Sequence, residues 1–92
     1  MDVSAVWKEF FGNWPDGMPR QGTLVTSLGQ QIPFSGFLTS ETILLIQRKS
    51  PDAEGTRQVL LPYQNIDSIK VTEIVKPKVF TANGFEGTLP KK

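Results

Sequence analysis

The sequence contains no cysteine and no histidine. That removes the thiolate and imidazole ligands on which most zinc sites depend. It also removes the Ser-His-Asp and Cys-His pairings of nucleophilic hydrolases and the side chain that most readily shuttles protons near neutral pH. No disulfide can staple the fold, and a chain without thiols is in keeping with a reducing compartment, so a cytoplasmic location is expected. The longest apolar run is Ile43-Leu44-Leu45-Ile46, far short of the roughly 18 residues that a membrane-spanning helix needs. The first residues carry Asp2 and Glu9, with neither a basic start nor a long apolar stretch, and do not read as a secretion signal. The glycines are scattered one per turn and form no phosphate-cradling loop. Asp52 and Glu54 lie in a polar loop, whereas a general acid–base pair needs a rigid, partly buried pocket. The chain therefore reads as non-catalytic, with no cofactor, no metal and no membrane partner.

What is present is enough for one small domain. Ninety-two residues bury a modest core, and with disulfides and metals excluded, self-association is the remaining way to bury more apolar surface. Charge is unevenly spread. Residues 1–47 carry Lys8 and Arg20 against Asp2, Glu9, Asp16 and Glu41. Residues 70–92 carry Lys70, Lys76, Lys78, Lys91 and Lys92 against Glu73 and Glu86. Such a basic C-terminal end is either a solvated tail or a surface that touches phosphates.

Asp2 is placed to cap a helix. Val3, Val6, Trp7, Phe10 and Phe11 then fall on one face at helical spacing. Gly12 is suited to a left-handed C-terminal position, and Pro15-Asp16-Gly17 forbids continuation. Trp7 and Trp14 read as packing residues, Trp7 lying on the apolar stripe. Period-two alternation follows over Thr23–Leu28 and Ile32–Thr39, joined by Gly29-Gln30-Gln31. Gly36 in mid-strand marks a sharp bend or a close backbone approach. Thr42–Lys49 holds the four-residue apolar run, apolar on both faces, and reads as a strand that is central or covered on both sides. Arg57–Leu61 and Ile66–Val75 are the fourth and fifth strands, separated only by Pro62-Tyr63-Gln64-Asn65. So short a break after a proline demands a corner rather than a relaxed loop. Val79–Thr81 and Phe85–Leu89 about Asn83-Gly84 suggest either a C-terminal hairpin or a segment that orders only against a neighbour. The expected fold is mostly β: an N-terminal helix within residues 1–14, then a strongly bent five-stranded antiparallel sheet to residue 75, of Sm-like or SH3-like small-barrel type. A basic extension follows over residues 76–92.

This order, with Phe34-Ser-Gly36-Phe-Leu38 matching the apolar-x-Gly-x-Leu pattern of a second strand, resembles the Sm-like family of small ring-forming RNA-binding proteins. The resemblance covers residues 3–75. Ser40-Glu41-Thr42 stands where that family carries Asp and Asn, and Pro62-Tyr63-Gln64-Asn65 where it carries Arg-Gly. The resemblance implies a homo-oligomeric ring of five to seven subunits, closed by pairing of the fourth strand with a neighbour's fifth. Val59, Leu60, Leu61, Ile69, Lys70 and Val71 would then form the subunit interface. It implies single-stranded RNA, or less readily DNA, bound at the pore. Tyr63 would be the stacking ring, Gln64, Asn65, Ser40 and Thr42 the polar contacts, and Arg48, Lys49 and Arg57 the phosphate contacts. Bland readings stand beside these: Tyr63 as a packed corner aromatic, Asn65 as a turn residue, and the three basic residues as neutralised by Asp52 and Glu54. A rival is a protein-interaction or structural module of pleckstrin-like type, whose strand–corner–strand Leu61–Val71 also resembles and which would not bind nucleic acid.

Overall fold

A computed structural model describes residues 2–90. A first helix, α1 (Val3–Gly12), precedes five strands: β1 (Gly22–Thr26), β2 (Gln31–Thr39), β3 (Ile43–Arg48), β4 (Gln58–Pro62) and β5 (Ile66–Lys70). A single 3-10 turn over Tyr63–Asn65 joins β4 to β5, and a short helix, α2 (Pro77–Thr81), follows. The strands form one antiparallel sheet in the order β4-β3-β2-β1-β5. It bends round on itself without closing, because β4 and β5 do not pair with each other. The expected helix-plus-five-strand architecture is therefore present.

Asp2 caps α1 as its position predicts, accepting a hydrogen bond from the Ser4 N–H at 3.2 Å. The other end differs from expectation. Gly12 has ordinary helical backbone, and Asn13 closes the helix, its N–H and its side-chain amide both donating to the Glu9 carbonyl, each at 3.0 Å. Asn serves because its side chain adds a second donor to the Glu9 carbonyl, which already accepts from the Asn13 backbone N–H.

Alternation places one side of each strand inside, except that the bulge in β2 resets its parity, so that Phe37 follows Phe34 into the core and Leu38, which simple spacing puts on that side, turns out. Leu24, Ile32, Phe34, Phe37, Leu44, Ile46, Leu61 and Ile66 form the core together with Phe11 from α1. The helix seats itself through aromatic rings: Phe11 meets Phe37 edge-on at 4.9 Å, and Trp14 lies 4.9 Å from the same ring. The Trp14 indole N–H donates to the Met18 carbonyl at 3.0 Å, and the Arg20 guanidinium covers the outer face of Phe37 at 4.0 Å. Both tryptophans are packing residues. Val3 and Val6, at the outer end of the stripe, remain exposed.

Gly36 sits at a β-bulge, where the β2–β3 register shifts between Phe34 and Gly36. It makes no close approach, since a Cβ there would meet nothing within 4 Å. The tight approach is at Gly22, where a Cβ would lie 2.6 Å from the Lys70 carbonyl oxygen. Two expectations fail beyond this point. The fifth strand ends at Lys70 rather than Val75, which leaves Val71 outside the sheet. The C-terminal hairpin is replaced by α2, because Pro77 occupies the helix start, where its missing N–H costs nothing. Asn83-Gly84 then ends that helix instead of turning a hairpin, and Phe85 folds back on Phe80, ring to ring at 5.8 Å.

The β1–β5 contact rests on the bareness of Gly22. Gly22→Ala is expected to destabilise the fold by about 1–3 kcal/mol through backbone overpacking, measured by denaturant unfolding, whereas Gly36→Ala, with open space around it, is expected to cost less.

Candidate functional site

The corner between β4 and β5 is built from the inside out. Pro62 is extended, so the alternation of β4 runs on into the 3-10 turn and Tyr63 follows Val59 and Leu61 to the inner side. Tyr63 is consequently only 1% exposed. Its hydroxyl donates to the Ser40 carbonyl at 2.9 Å and accepts from the Ser40 N–H at 3.3 Å. One buried phenol thus ties the β4–β5 corner to the β2–β3 turn, and α1 packs across the 3-10 turn from outside. This corrects the expectation of a stacking ring: Tyr63 offers no face to a base, because its ring plugs the end of the barrel.

Gln64 and Asn65 flank it in the open. The Asn65 carbonyl accepts from the Ser27 N–H at 2.8 Å, which fixes the corner against the β1–β2 hairpin and leaves the side-chain amide outside. On the neighbouring turn the Ser40 hydroxyl is engaged, donating to the Ile43 carbonyl at 2.6 Å and accepting from the Ile43 N–H at 3.0 Å. It shapes the turn and is not a free contact; Thr42 is exposed. Lys8 of α1 pairs with Glu41 of this turn. The ammonium's hydrogen bond and charge hold the Glu41 carboxyl below its ordinary pKa. A cleft of about 270 Å³ lies here, lined by Lys8, Glu41, Thr42 and Gln64 among others. Lys8 and Glu41 carry no local sequence signal, being 33 residues apart.

Arg48, Lys49 and Arg57 do not join this corner. The β3–β4 register pairs Ile43 with Pro62 at one end and Gln47 with Gln58 at the other. The basic residues therefore lie roughly 16 Å along the strands from the corner. The Arg48 side chain donates to the Ser50 carbonyl at 3.0 Å. In the same loop, one Asp52 carboxylate oxygen accepts from the N–H groups of Glu54 and Thr56, each at 2.9 Å. The Thr56 N–H bond is the main cause holding the Asp52 carboxyl below its ordinary pKa, and the Arg48 charge adds to it.

The six residues expected at a subunit interface do not share one surface. Val59, Leu61 and Ile69 turn inward, Leu60 is 64% exposed on the outer face, and Val71 lies beyond the strand. The Lys70 ammonium reaches Gln31 at 3.2 Å. What the two strands share is free backbone. The Arg48 N–H bond to the Arg57 carbonyl at 2.8 Å makes that pair hydrogen-bonded. By antiparallel alternation the N–H and C=O groups of Gln58 and Leu60 then point away from β3, out of the sheet. Pro62, next in the series, has no N–H to offer. Between β4 and the β1–β2 hairpin the barrel gapes over a cleft of about 350 Å³, lined by Val59, Leu61, Ser27, Leu28 and Asn65 among others.

Among the described residues, no group of three or more acidic side chains is placed to hold a metal ion, and no helix is long and apolar enough to cross a membrane. Comparison with protein-family models, curated proteins and solved structures finds no match. The structure defines a class: a helix-capped, half-open, five-stranded antiparallel barrel.

Tyr63→Phe is expected to lower stability by about 1–2 kcal/mol, because it removes both hydrogen bonds to Ser40 without opening a cavity; chemical unfolding measures this. The Asp52 contribution is present above the ordinary carboxyl value of 3.8 and lost as pH falls through its lower folded-state value. Amide exchange of Glu54 and Thr56 is therefore expected to lose its protection only in acid, and Asp52→Ala to abolish that pH dependence.

Proposed function

We propose that the chain is a non-catalytic, self-assembling Sm-like module, in which β4 of one copy pairs with β5 of the next and the corner face binds single-stranded nucleic acid. The observation that carries the reading is the pair of unpaired margins on either side of a three-residue turn. An exposed strand edge is a template for another strand. Two edges on one subunit, joined through a fixed rotation, make a head-to-tail contact that closes into a ring.

Within such a ring Gln64, Asn65 and Thr42 recur once per subunit about the axis, and their amide and hydroxyl groups suit the donors and acceptors of unpaired bases. Tyr63 is the scaffold of this face and supplies no stacking. Arg48, Lys49 and Arg57 stand at the far end of the strands, where they serve longer ligands by phosphate contact. RNA is preferred to DNA in this reading.

A second reading is favoured by the burial of Tyr63. With the one corner aromatic withdrawn, the module is an assembly or protein-interaction domain that does not touch nucleic acid.

Light scattering on the eluting protein is expected to give five to seven copies. Gln58→Pro removes an outward N–H without touching the β3 ladder, and is expected to break that assembly while leaving the monomer folded. Fluorescence anisotropy with oligouridine and oligoadenine at two salt concentrations tests the ligand. Gln64→Ala with Asn65→Ala is expected to weaken binding about tenfold, as for two neutral hydrogen bonds. A monomer at all concentrations contradicts assembly, and an oligomer that binds neither oligonucleotide selects the second reading.

A further inference from the structure

On each free margin the backbone is tied to one face of the sheet. On β4 the outward N–H and C=O groups belong to Gln58 and Leu60, whose side chains lie on the outer face, since Val59 and Leu61 turn inward. On β5 the parity is reversed. The Thr26 N–H donates to the Gln30 carbonyl at 2.9 Å and the Ser27 N–H to the Asn65 carbonyl at 2.8 Å. Even-numbered residues of β1 therefore address β2, and odd-numbered ones address β5. Thr23 and Val25 thus bond to Lys70 and Ser68, with which they are in register. The N–H and C=O of Ile69 then point away from β1, while its side chain packs against the core. Val71 lies just past the strand and is 42% exposed. Lengthening β5 by that one residue presents the Val71 backbone in the same outward direction.

We propose that β4 of one copy joins β5 of the next antiparallel and with the faces inverted, so that Leu60 packs against the neighbour's Ile69; this rests on the strand pairing put forward above. Because edge and face are coupled, two joints exist. A parallel joint keeps inner face with inner face and sets Leu60 across from the neighbour's Lys70. An antiparallel joint makes the outer face of β4 continuous with the inner face of the neighbour's β5 and sets Leu60 across from Ile69. The curl of the sheet chooses between them. The sheet already bends round until β4 faces the β1–β2 hairpin across a cleft of about 350 Å³. A neighbour joined inner to inner carries the same curvature on, into the volume that the barrel fills. A neighbour joined with its faces inverted curls away. The side chains agree. Val59 and Leu61 are already packed in their own core, whereas Leu60 is 64% exposed at the end of the row Leu38–Leu45–Leu60. Ile69 lengthens that row by one apolar cross-strand pair, where Lys70 ends it in a charge. The register that uses the backbone of all four residues pairs Leu60 with Ile69 and Gln58 with Val71. A slide of two residues one way brings in Pro62, which has no N–H. The opposite slide brings in Asp67, which the β5 bulge leaves out of register.

The full chain has no cysteine, so introduced thiols report on the joint directly. Bonded residues of antiparallel strands lie about 5.5 Å apart at Cα, within disulfide reach. Leu60→Cys with Ile69→Cys in one chain is expected to give a ladder of covalent trimers and larger species under mild oxidation. Leu60→Cys with Lys70→Cys, the pair that a parallel joint opposes, is expected to give far less. A ladder from the Lys70 pair that equals or exceeds the other overturns the inverted joint while the assembly itself stands. A second variant needs no thiol. Leu60→Asp sets a carboxylate against Ile69 in the antiparallel joint but beside the Lys70 ammonium in the parallel one. It is expected to reduce the mass seen by light scattering to that of the monomer while the tryptophan near-ultraviolet dichroism stays native. An assembly of unchanged mass in the folded Leu60→Asp variant overturns the proposal. A parent chain that is a monomer at all concentrations overturns this joint and the assembly together.

Discussion

The hydrogen bonds between the Tyr63 hydroxyl and the Ser40 backbone hold the architecture at its weakest point. A sheet that bends through five short strands has to turn from β4 into β5 within three residues, and nothing in a 3-10 turn of that length holds it at one angle. The buried phenol supplies the constraint. It fills the end of the barrel and pairs with both backbone polar groups of Ser40. In doing so it fixes the β4–β5 corner against the β2–β3 turn, and α1 closes over the outside. With that angle set, β5 is committed to β1, and among the described residues neither β4 nor β5 has a strand partner on its other side.

Much of the chemistry of this molecule follows from where that leaves polar and apolar groups. The corner side chains that remain outside are amides and a hydroxyl beside a Lys8–Glu41 pair, and the basic residues sit at the opposite end of β3 and β4. The two ends of the barrel therefore differ in character: one neutral and hydrogen-bonding, the other cationic but partly engaged with its own loop. Between them the outer sheet face is apolar. A domain whose core is limited by its length leaves these surfaces bare, and its stability as a monomer and its assembly draw on the same few strands.

Alternation made the strands legible, and Leu24, Ile32 and Phe34 lie inside together as their spacing implies. The spacing also set Leu38 with Ile32 and Phe34, and Phe37 opposite them, whereas the bulge at Gly36 turns Phe37 in and Leu38 out. Leu28, set with Leu24, is exposed on the hairpin. The corner was legible as a corner, from Pro62 and the shortness of the break. So was the direction of Tyr63: it continues the alternation of Val59 and Leu61, all three inward, and of the two readings of that ring the packed corner aromatic is the one its burial matches. Gly36 announced an irregularity, but a bulge and a close approach look alike in sequence; the close approach belongs to Gly22, which stands unremarkably at a strand start. α2 was missed because Asn83-Gly84 is the strongest short hairpin signal and five residues give too little periodicity to oppose it. The separation of Arg48, Lys49 and Arg57 from Gln64 and Asn65 depends on strand register, which no local pattern states.

The central claim is that the free margins recruit another copy through their backbone, and the outward amides of Gln58 and Leu60 report on it residue by residue. Hydrogen exchange followed at rising protein concentration measures them against Val59 and Leu61, whose amides are held by β3 throughout. The account expects the Gln58 and Leu60 amides to become protected as concentration rises while the other two stay unchanged. Gln58 and Leu60 amides that exchange at the free-chain rate at every concentration would contradict it.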